Sequence, residues 1–452
     1  MIENHNLSRR NFLRYAGAFT TTAGFSRFGL MNAVAQSVSD YKALVCIFLV
    51  GGNDSHSMVV PQTPTAYNAY KAIRGSLALP DTNVKLLPIS ASNGTPYALN
   101  DGLTAIAPLW TQQKLAVVAN VGMLVQPTSR AEYLAGTATV PTNLFSHSDQ
   151  IIQMQAGNPN GSGGTGWAGR VADAVQALNG ASSFPPSISM AGSALFCTGS
   201  AVQSASLIPG FDLALDGMTA WPASAAAARQ QALQEILTFD TGMSLVQSAN
   251  KIRQDALTLN GMLKGLNAGA PLATVFPQTD LGRQLQQVAQ IIRLRAATGM
   301  TRQVFFCSLG GFDTHSGQSW AQWDLLRQVS AGMMALYTAS VEMGVADQVT
   351  TFTESDFGRT LQPSGSGSDH GWGSHHLVMG GAVNGGDVYG AFPTMALGGP
   401  DDANSRGVLI PTTSLDQYGA TLAKWFGVST AAMPLVFPNL AKFPTADLGF
   451  LG

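Results

Sequence analysis

Charge is scarce in this chain: 24 basic and 26 acidic side chains amount to 11% of its 452 residues. Such a balance has no electrostatic footprint for nucleic acid, which requires a clustered excess of lysine and arginine. Cysteine is scarcer still, with only Cys46, Cys197 and Cys307. An odd number at wide spacing excludes a disulfide framework. Cys46 and Cys307 each fall inside an apolar run, so they read as buried, inert thiols. An unbroken apolar stretch of about 20 residues, the length a membrane-spanning helix needs, is also missing. No internal repeat is present.

What the chain does have is apolar residues, 45% of the total, enough to bury a large core. Length alone would suggest about three domains; a single α/β domain with insertions is equally compatible. The N-terminus is distinctive. Leu7-Ser8-Arg9-Arg10-Asn11-Phe12-Leu13-Arg14 is followed by a weakly apolar stretch from Tyr15 to Leu30, and Ala33-Val34-Ala35 then offers a small-residue cleavage site. These are the three parts of a secretory signal, and paired arginines before Phe-Leu select its twin-arginine form. A disordered basic tail or a retained anchor is the alternative, but Gly17, Gly24, Arg27 and Gly29 interrupt the apolar stretch. Residues 1–35 hold four arginines against one glutamate, so their removal leaves 20 basic and 25 acidic residues, a net charge of −5. The expectation is a periplasmic or secreted protein, handled by the twin-arginine translocase, with no stable transmembrane segment.

In the remainder, 36–452, the run Ala43–Val50 ends at Gly51-Gly52-Asn53-Asp54. A run of that length bounded by turn residues suits a strand buried on both faces. Similar runs recur at Leu115–Val121, Val304–Leu309 and Val349–Phe352. Helical patterns lie between them at Gly102–Gln113, Asp280–Ala297 and Trp320–Met343. Alternation of this kind predicts an α/β domain with a mostly parallel sheet. Residues 157–275 differ, being rich in Gly, Ala and Ser with two candidate helices, Ala223–Leu237 and Met243–Leu263. They read as an insertion or cap. Pro363–Ser368 reads as a Gly/Ser loop.

The chemistry collects around six histidines, His56, His147, His315, His370, His375 and His376, each close to a carboxylate and a turn. Imidazole with carboxylate suits zinc, manganese or iron, and carboxylate alone suits harder ions such as calcium. Asp54, Asp313 and Asp356 each follow an expected strand, and in open α/β sheets ligands bind beyond the carboxyl ends of the strands. In Asp313-Thr314-His315 the two ligand types lie two residues apart and point the same way in an extended segment. Asp369-His370 in a loop would serve neighbouring metals. A single Asp after a strand is also a common turn former or helix cap. His56 and His147, taken one at a time, read as polar surface residues, and at most one of His375 and His376 should face the site. Arg359, just past the Asp356 strand end, either clamps an anionic ester through its planar fork or makes a surface ion pair.

These residues also carry a resemblance. Val50-Gly51-Gly52-Asn53-Asp54, Gln126-Pro127-Thr128-Ser129-Arg130, Ser146-His147, Thr165-Gly166-Trp167, Gly310-Gly311-Phe312-Asp313-Thr314-His315, Ser355-Asp356-Phe357-Gly358-Arg359 and Asp369-His370-Gly371 stand along nearly the whole exported chain. Gly380-Gly381, Gly385-Gly386 and Asp416-Gln417-Tyr418 complete the set. The chain resembles the exported bacterial proteins of domain-of-unknown-function family 1501, themselves similar to the alkaline phosphatase and sulfatase superfamily. That resemblance implies an alkaline-phosphatase-like αβα sandwich, a site for two divalent metal ions, and hydrolysis of phosphate or sulfate esters. It implies Asp54 as first ligand, Ser146 as the nearest match to the nucleophile, and Asp313, His315, Asp356 and His370 as later ligands. The superfamily often has Asp-His-Gly after its late strand, where this chain has Asp356-Phe357-Gly358. Ser146 precedes the helix-like segment Gln150–Ala156 and is equally well placed as a helix N-cap. The rival expectation is a non-catalytic exported protein that uses the same fold for binding or assembly.

Overall fold

The apolar run at Ala43–Val50 forms a nine-residue strand, β1 (Lys42–Val50), in which Ala43 to Leu49 are fully buried. A strand buried on both faces needs cover on each side of its sheet, and its sequence therefore does not alternate with polar residues. The computed structural model describes residues 40–452, apart from 83, 183, 203, 210–217, 219, 240, 241 and most of 245–270. The twin-arginine segment 1–35 and much of the expected helix Met243–Leu263 lie outside the described residues.

After β1 come β2 (Val59–Pro61), β3 (Leu86–Ser90), β4 (Pro96–Asn100), β5 (Leu115–Gly122), β6 (Ser187–Ser189) and β7 (Ala205–Ser206). The second half supplies β8 (Arg302–Gly310), β9 (Val349–Ser355), β10 (Arg359–Ser364), β11 (Gly367–His370), β12 (Ser374–Gly380), β13 (Val388–Tyr389) and β14 (Thr413–Ser414). The helices that frame the site and the cores are α1 (Pro64–Arg74), α2 (His147–Ala156), α3 (Trp167–Val175), α4 (Ala223–Thr238), α5 (Asp280–Arg293), α6 (Gln318–Glu342) and α7 (Leu415–Phe426). The large sheet runs β13-β5-β12-β9-β1-β8-β6-β7, with β14 also on β5. β1 is parallel to both β8 and β9, whereas β12 runs antiparallel between β9 and β5. The protein is thus mixed α/β with a large, mostly parallel central sheet.

Alternate residues of β1 feed separate cores. Val45, Ile47 and Leu49 pack with Leu281, Leu285 and Val288 of α5 and with Val329 and Met333 of α6. Leu44, Cys46 and Phe48 pack on the other face with Trp167 and Val171 of α3 and with Leu415 and Leu422 of α7. Cys46, Cys197 and Cys307 are free and buried, and burial pushes the Cys197 thiol up to about 12. Among the described residues no helix is long and apolar enough to cross a membrane.

Several elements differ from their sequence patterns. Gly102–Gln113 is not one helix but a 3-10 turn at Asp101–Leu103 and a short helix at Pro108–Thr111. Pro108 has no N–H to continue the ladder, so the chain restarts there with proline in its first turn. Pro363–Ser368 is not a free loop, because β10 and β11 pair as an antiparallel hairpin that turns at Gly365, φ +66°. Of the stretch 157–275, α3 enters a core and β6 pairs in parallel with β8, Ile188 opposite Phe305. Among the described residues of its later part, α4 buries no side chain except Ala226 and Leu237.

Candidate metal centre

Register places the strand ends side by side. Val50 pairs with Gly310 and Leu49 with Ser355, so Gly51, Gly311 and Asp356 leave the sheet at one edge. β12 starts at this edge too, since Ser374 pairs with Val121 near the end of β5, and His370 lies just before it. The turns fit closely. Gly51 has φ +114°, and a Cβ there would lie 2.4 Å from the backbone nitrogen of Asp313.

Asp313 is the hub. Its Oδ1 is 2.9 Å from His315 Nε2, 3.3 Å from His147 Nε2 and 3.6 Å from His370 Nε2. His370 Nε2 is 3.1 Å from the Nε2 atoms of both His147 and His315. Among the described residues, His147, Asp313 and His370 form a group whose ligand atoms all lie within 4.8 Å of one another. A tetrahedral zinc ion with bonds of about 2.0–2.1 Å would hold its ligands about 3.3 Å apart, which is the size of this triangle.

The outward nitrogens are anchored. His147 Nδ1 is 2.7 Å from Asp356 Oδ2, His370 Nδ1 is 2.7 Å from the Phe145 carbonyl, and His315 Nδ1 is 3.4 Å from Asp369 Oδ1. A carbonyl or carboxylate that accepts a hydrogen bond from Nδ1–H keeps the ring proton on Nδ1 and leaves Nε2 as the ligand atom. The Nε2 atoms of the three rings thus face one another and a carboxylate oxygen.

Electrostatics grade the members. The hydrogen bond to Asp356 is the largest influence on His147 and lifts its pKa, against the opposing effect of burial. His370 is shifted down, chiefly by burial. Partial burial alone would raise Asp313, but the Arg359 guanidinium beside it prevails and holds the carboxyl below its ordinary value. The Asp313 and His315 side chains are 46% exposed and those of His147 and His370 27%. The cluster is therefore open to solvent on the side of Asp313 and His315.

The remaining sequence candidates are distributed around this centre. Asp356 is fully buried and accepts from the Gly51 N–H at 3.0 Å, so it orients His147 rather than joining the triangle. Asp369 supports His315 and pairs with Arg406 at 2.9 Å. Asp54 is fully buried elsewhere: its Oδ2 pairs with Arg74 and accepts from Gln318 Nε2 and, at 2.6 Å, from Ser57 Oγ. Arg359 is buried and is no surface ion pair. Its guanidinium donates to the carbonyls of Gly51, Gly52, Phe312 and Ser368 and to Asp313, so it faces three chain turns and not the solvent. Ser146 is the N-cap residue of α2 but makes no side-chain capping bond; its Oγ donates to Asp149 Oδ2 at 2.5 Å and lies 3.1 Å from Ser148 Oγ. His375 accepts the Asn120 N–H on Nδ1 at 2.9 Å and stacks on Phe392. His376 stacks on Tyr418. His56 is buried edge-on to His375.

Sequence reasoning missed His147. Taken by itself it reads as a surface residue, yet it opens α2 and reaches Asp356 and His370, 209 and 223 residues away. The available signal was its neighbour: a Ser-His pair at a helix start, with the family marker on it. Phe145 was also missed, because it contributes a backbone carbonyl, which no residue type announces.

The chain matches the family model of the proteins of unknown function DUF1501 over residues 41–407. No curated protein matches it. The match spans the whole of the cluster, from the β1 turn to His370, and the chain belongs to the DUF1501 family.

Proposed function

We propose that this chain is an exported, metal-dependent hydrolase of phosphate or sulfate esters, built as an alkaline-phosphatase-like αβα sandwich. One observation carries the reading: imidazole nitrogens of His147, His315 and His370 converge with Asp313 Oδ1 while the outward nitrogens of His147 and His370 are held by a carboxylate and a carbonyl. His147, Asp313 and His370 would hold a divalent ion, with His315 as a fourth group. The chemistry such an ion supplies is Lewis acidity toward an ester oxygen and toward charge that develops during displacement. The arrangement favours one ion over two, because Asp54 already has its counter-charge in Arg74. Zinc fits the donor set best among zinc, manganese, iron and calcium.

The chain's own residues set the rest. Asp356 and the Phe145 carbonyl hold Nδ1 of His147 and His370, and Asp369 lies 3.4 Å from Nδ1 of His315. Ser146, one residue before His147 at the N-terminus of α2, is the candidate nucleophile, and its Oγ is oriented by the hydrogen bond it donates to Asp149 Oδ2 at 2.5 Å. The N–H groups of a helix start also favour an anionic ester there. Export rests on Arg9-Arg10 before Phe12-Leu13, with processing after Ala35.

The test is reconstitution of the mature protein with zinc, manganese, iron or calcium, metal analysis, and a panel of aryl phosphates and sulfates. The reading expects roughly one zinc per chain and ester turnover that depends on it. Metal content at background with every ion would overturn the metal centre. Stoichiometric metal without turnover of any ester would favour the non-catalytic binding protein.

A further inference from the structure

The two imidazoles of the triangle share a third ring. Phe357 lies 4.6 Å from His147 and 4.9 Å from His370, centroid to centroid, tilted by 35° and 33°. His147 and His370 themselves stand 4.3 Å apart at 69°. The phenyl plane thus divides the angle between the imidazoles into nearly equal halves, and each imidazole leans on it. Phe357 is buried, 2% exposed. Behind it stands Gly52, at φ +81°, where a Cβ would come within 2.6 Å of Phe357 Cε2. The second glycine of the β1 turn leaves the space the phenyl ring occupies.

We infer that Phe357 is a positioning residue: it sets the angle between His147 and His370 and so tunes the affinity and coordination geometry of the metal centre. The inference rests on the metal-binding reading above. A hydrogen bond on Nδ1 fixes which nitrogen faces inward but leaves the ring free to roll about that bond. A flat surface against each ring removes the roll. Phe357 does so for both at once, and Gly52 lets it approach. The adjacent residues act on the same cluster, since Asp356 holds His147 and Arg359 holds Asp313. One short turn after β9 therefore orients three of the four groups.

The experiment compares wild type, Phe357→Leu and Phe357→Met by calorimetric titration with zinc alone, by the visible spectrum with cobalt alone, and by thermal unfolding of the metal-free proteins. Both variants keep apolar volume and remove the flat ring; the unbranched Met serves if Leu does not fold. The expected result is zinc affinity about 10–100-fold weaker, the usual cost of losing an outer-shell partner, with metal-free melting close to wild type. The cobalt spectrum should lose the intensity of a tetrahedral site. Wild type that binds tightly and variants that bind equally, with the same cobalt spectrum, would overturn the inference. Weaker binding that appears only together with a collapse of metal-free melting in both variants would also overturn it, since that is loss of core packing. Wild type that binds neither metal would overturn the metal reading itself, and this inference with it.

Discussion

Substituting Gly51 by alanine tests whether the turn after β1 sets the centre. The new Cβ would stand 2.4 Å from the Asp313 nitrogen and 2.9 Å from the Phe312 carbonyl carbon, both backbone atoms that cannot swing aside. It would also hold alanine at φ +114°, where side chains are strained. Strain at such a backbone position costs about 1–3 kcal/mol and overpacking about 1–3 kcal/mol, so the total is roughly 2–6 kcal/mol. For a chain of this size that corresponds to a melting point lowered by about 2–7 °C. Relief requires the two turns to part by about 1 Å, to reach ordinary contact. Metal–ligand distances tolerate only about 0.2 Å, so zinc affinity should fall as Asp313 moves. Gly310→Ala is the control, because its Cβ would meet nothing within 4 Å and its φ is not positive. It should leave melting unchanged or raise stability by about 0.4–1 kcal/mol. Calorimetry for melting and zinc titration for affinity give both readouts. A Gly51→Ala protein that melts and binds zinc like Gly310→Ala would refute the reasoning.

Four further outcomes can be measured. Zinc binding must displace the proton of His147, whose pKa is raised by Asp356. Affinity should therefore decline from above pH 6.5 downward, by up to tenfold per pH unit; equal affinity at pH 8 and pH 6 would contradict this. Ser146→Ala should abolish ester turnover with metal content intact if the serine is the nucleophile, whereas turnover equal to wild type would remove it from that role. Burial holds His376 neutral and pushes its pKa down to about 3. Its contribution to stability is thus present above about pH 6.5 and is lost as pH falls toward 3. His376→Phe should lose about 2.5 kcal/mol less than wild type between pH 7 and pH 4.5, a difference readable by urea unfolding at the two pH values. Replacing Arg9 and Arg10 by lysine should leave precursor in the cytoplasm, and unchanged export would argue against the twin-arginine route.

The strands were the most legible part of this chain. β1, β5, β8 and β9 are continuous apolar runs, and burial on both faces demands that composition wherever the register falls. α5 and α6 were legible for the same reason, through periodic burial against one core. The Asp residues after β1, β8 and β9 were legible as strand-end groups, because parallel strands bring their carboxyl ends to one edge. What sequence alone could not decide was which of these carboxylates meet. Asp54 and Asp313 occupy equivalent places after adjacent strands, yet Arg74 from α1 takes one while three imidazoles surround the other. Arg359 shows the same limit, since a guanidinium beside a strand end looks like an anion clamp until the carbonyls of Gly51, Gly52 and Phe312 close around it. His147 and Phe357 depend wholly on tertiary structure. Local sequence determines secondary structure through short-range burial and turn chemistry, but a site made of groups 209 residues apart exists only once sheet register and helix placement fix their distances.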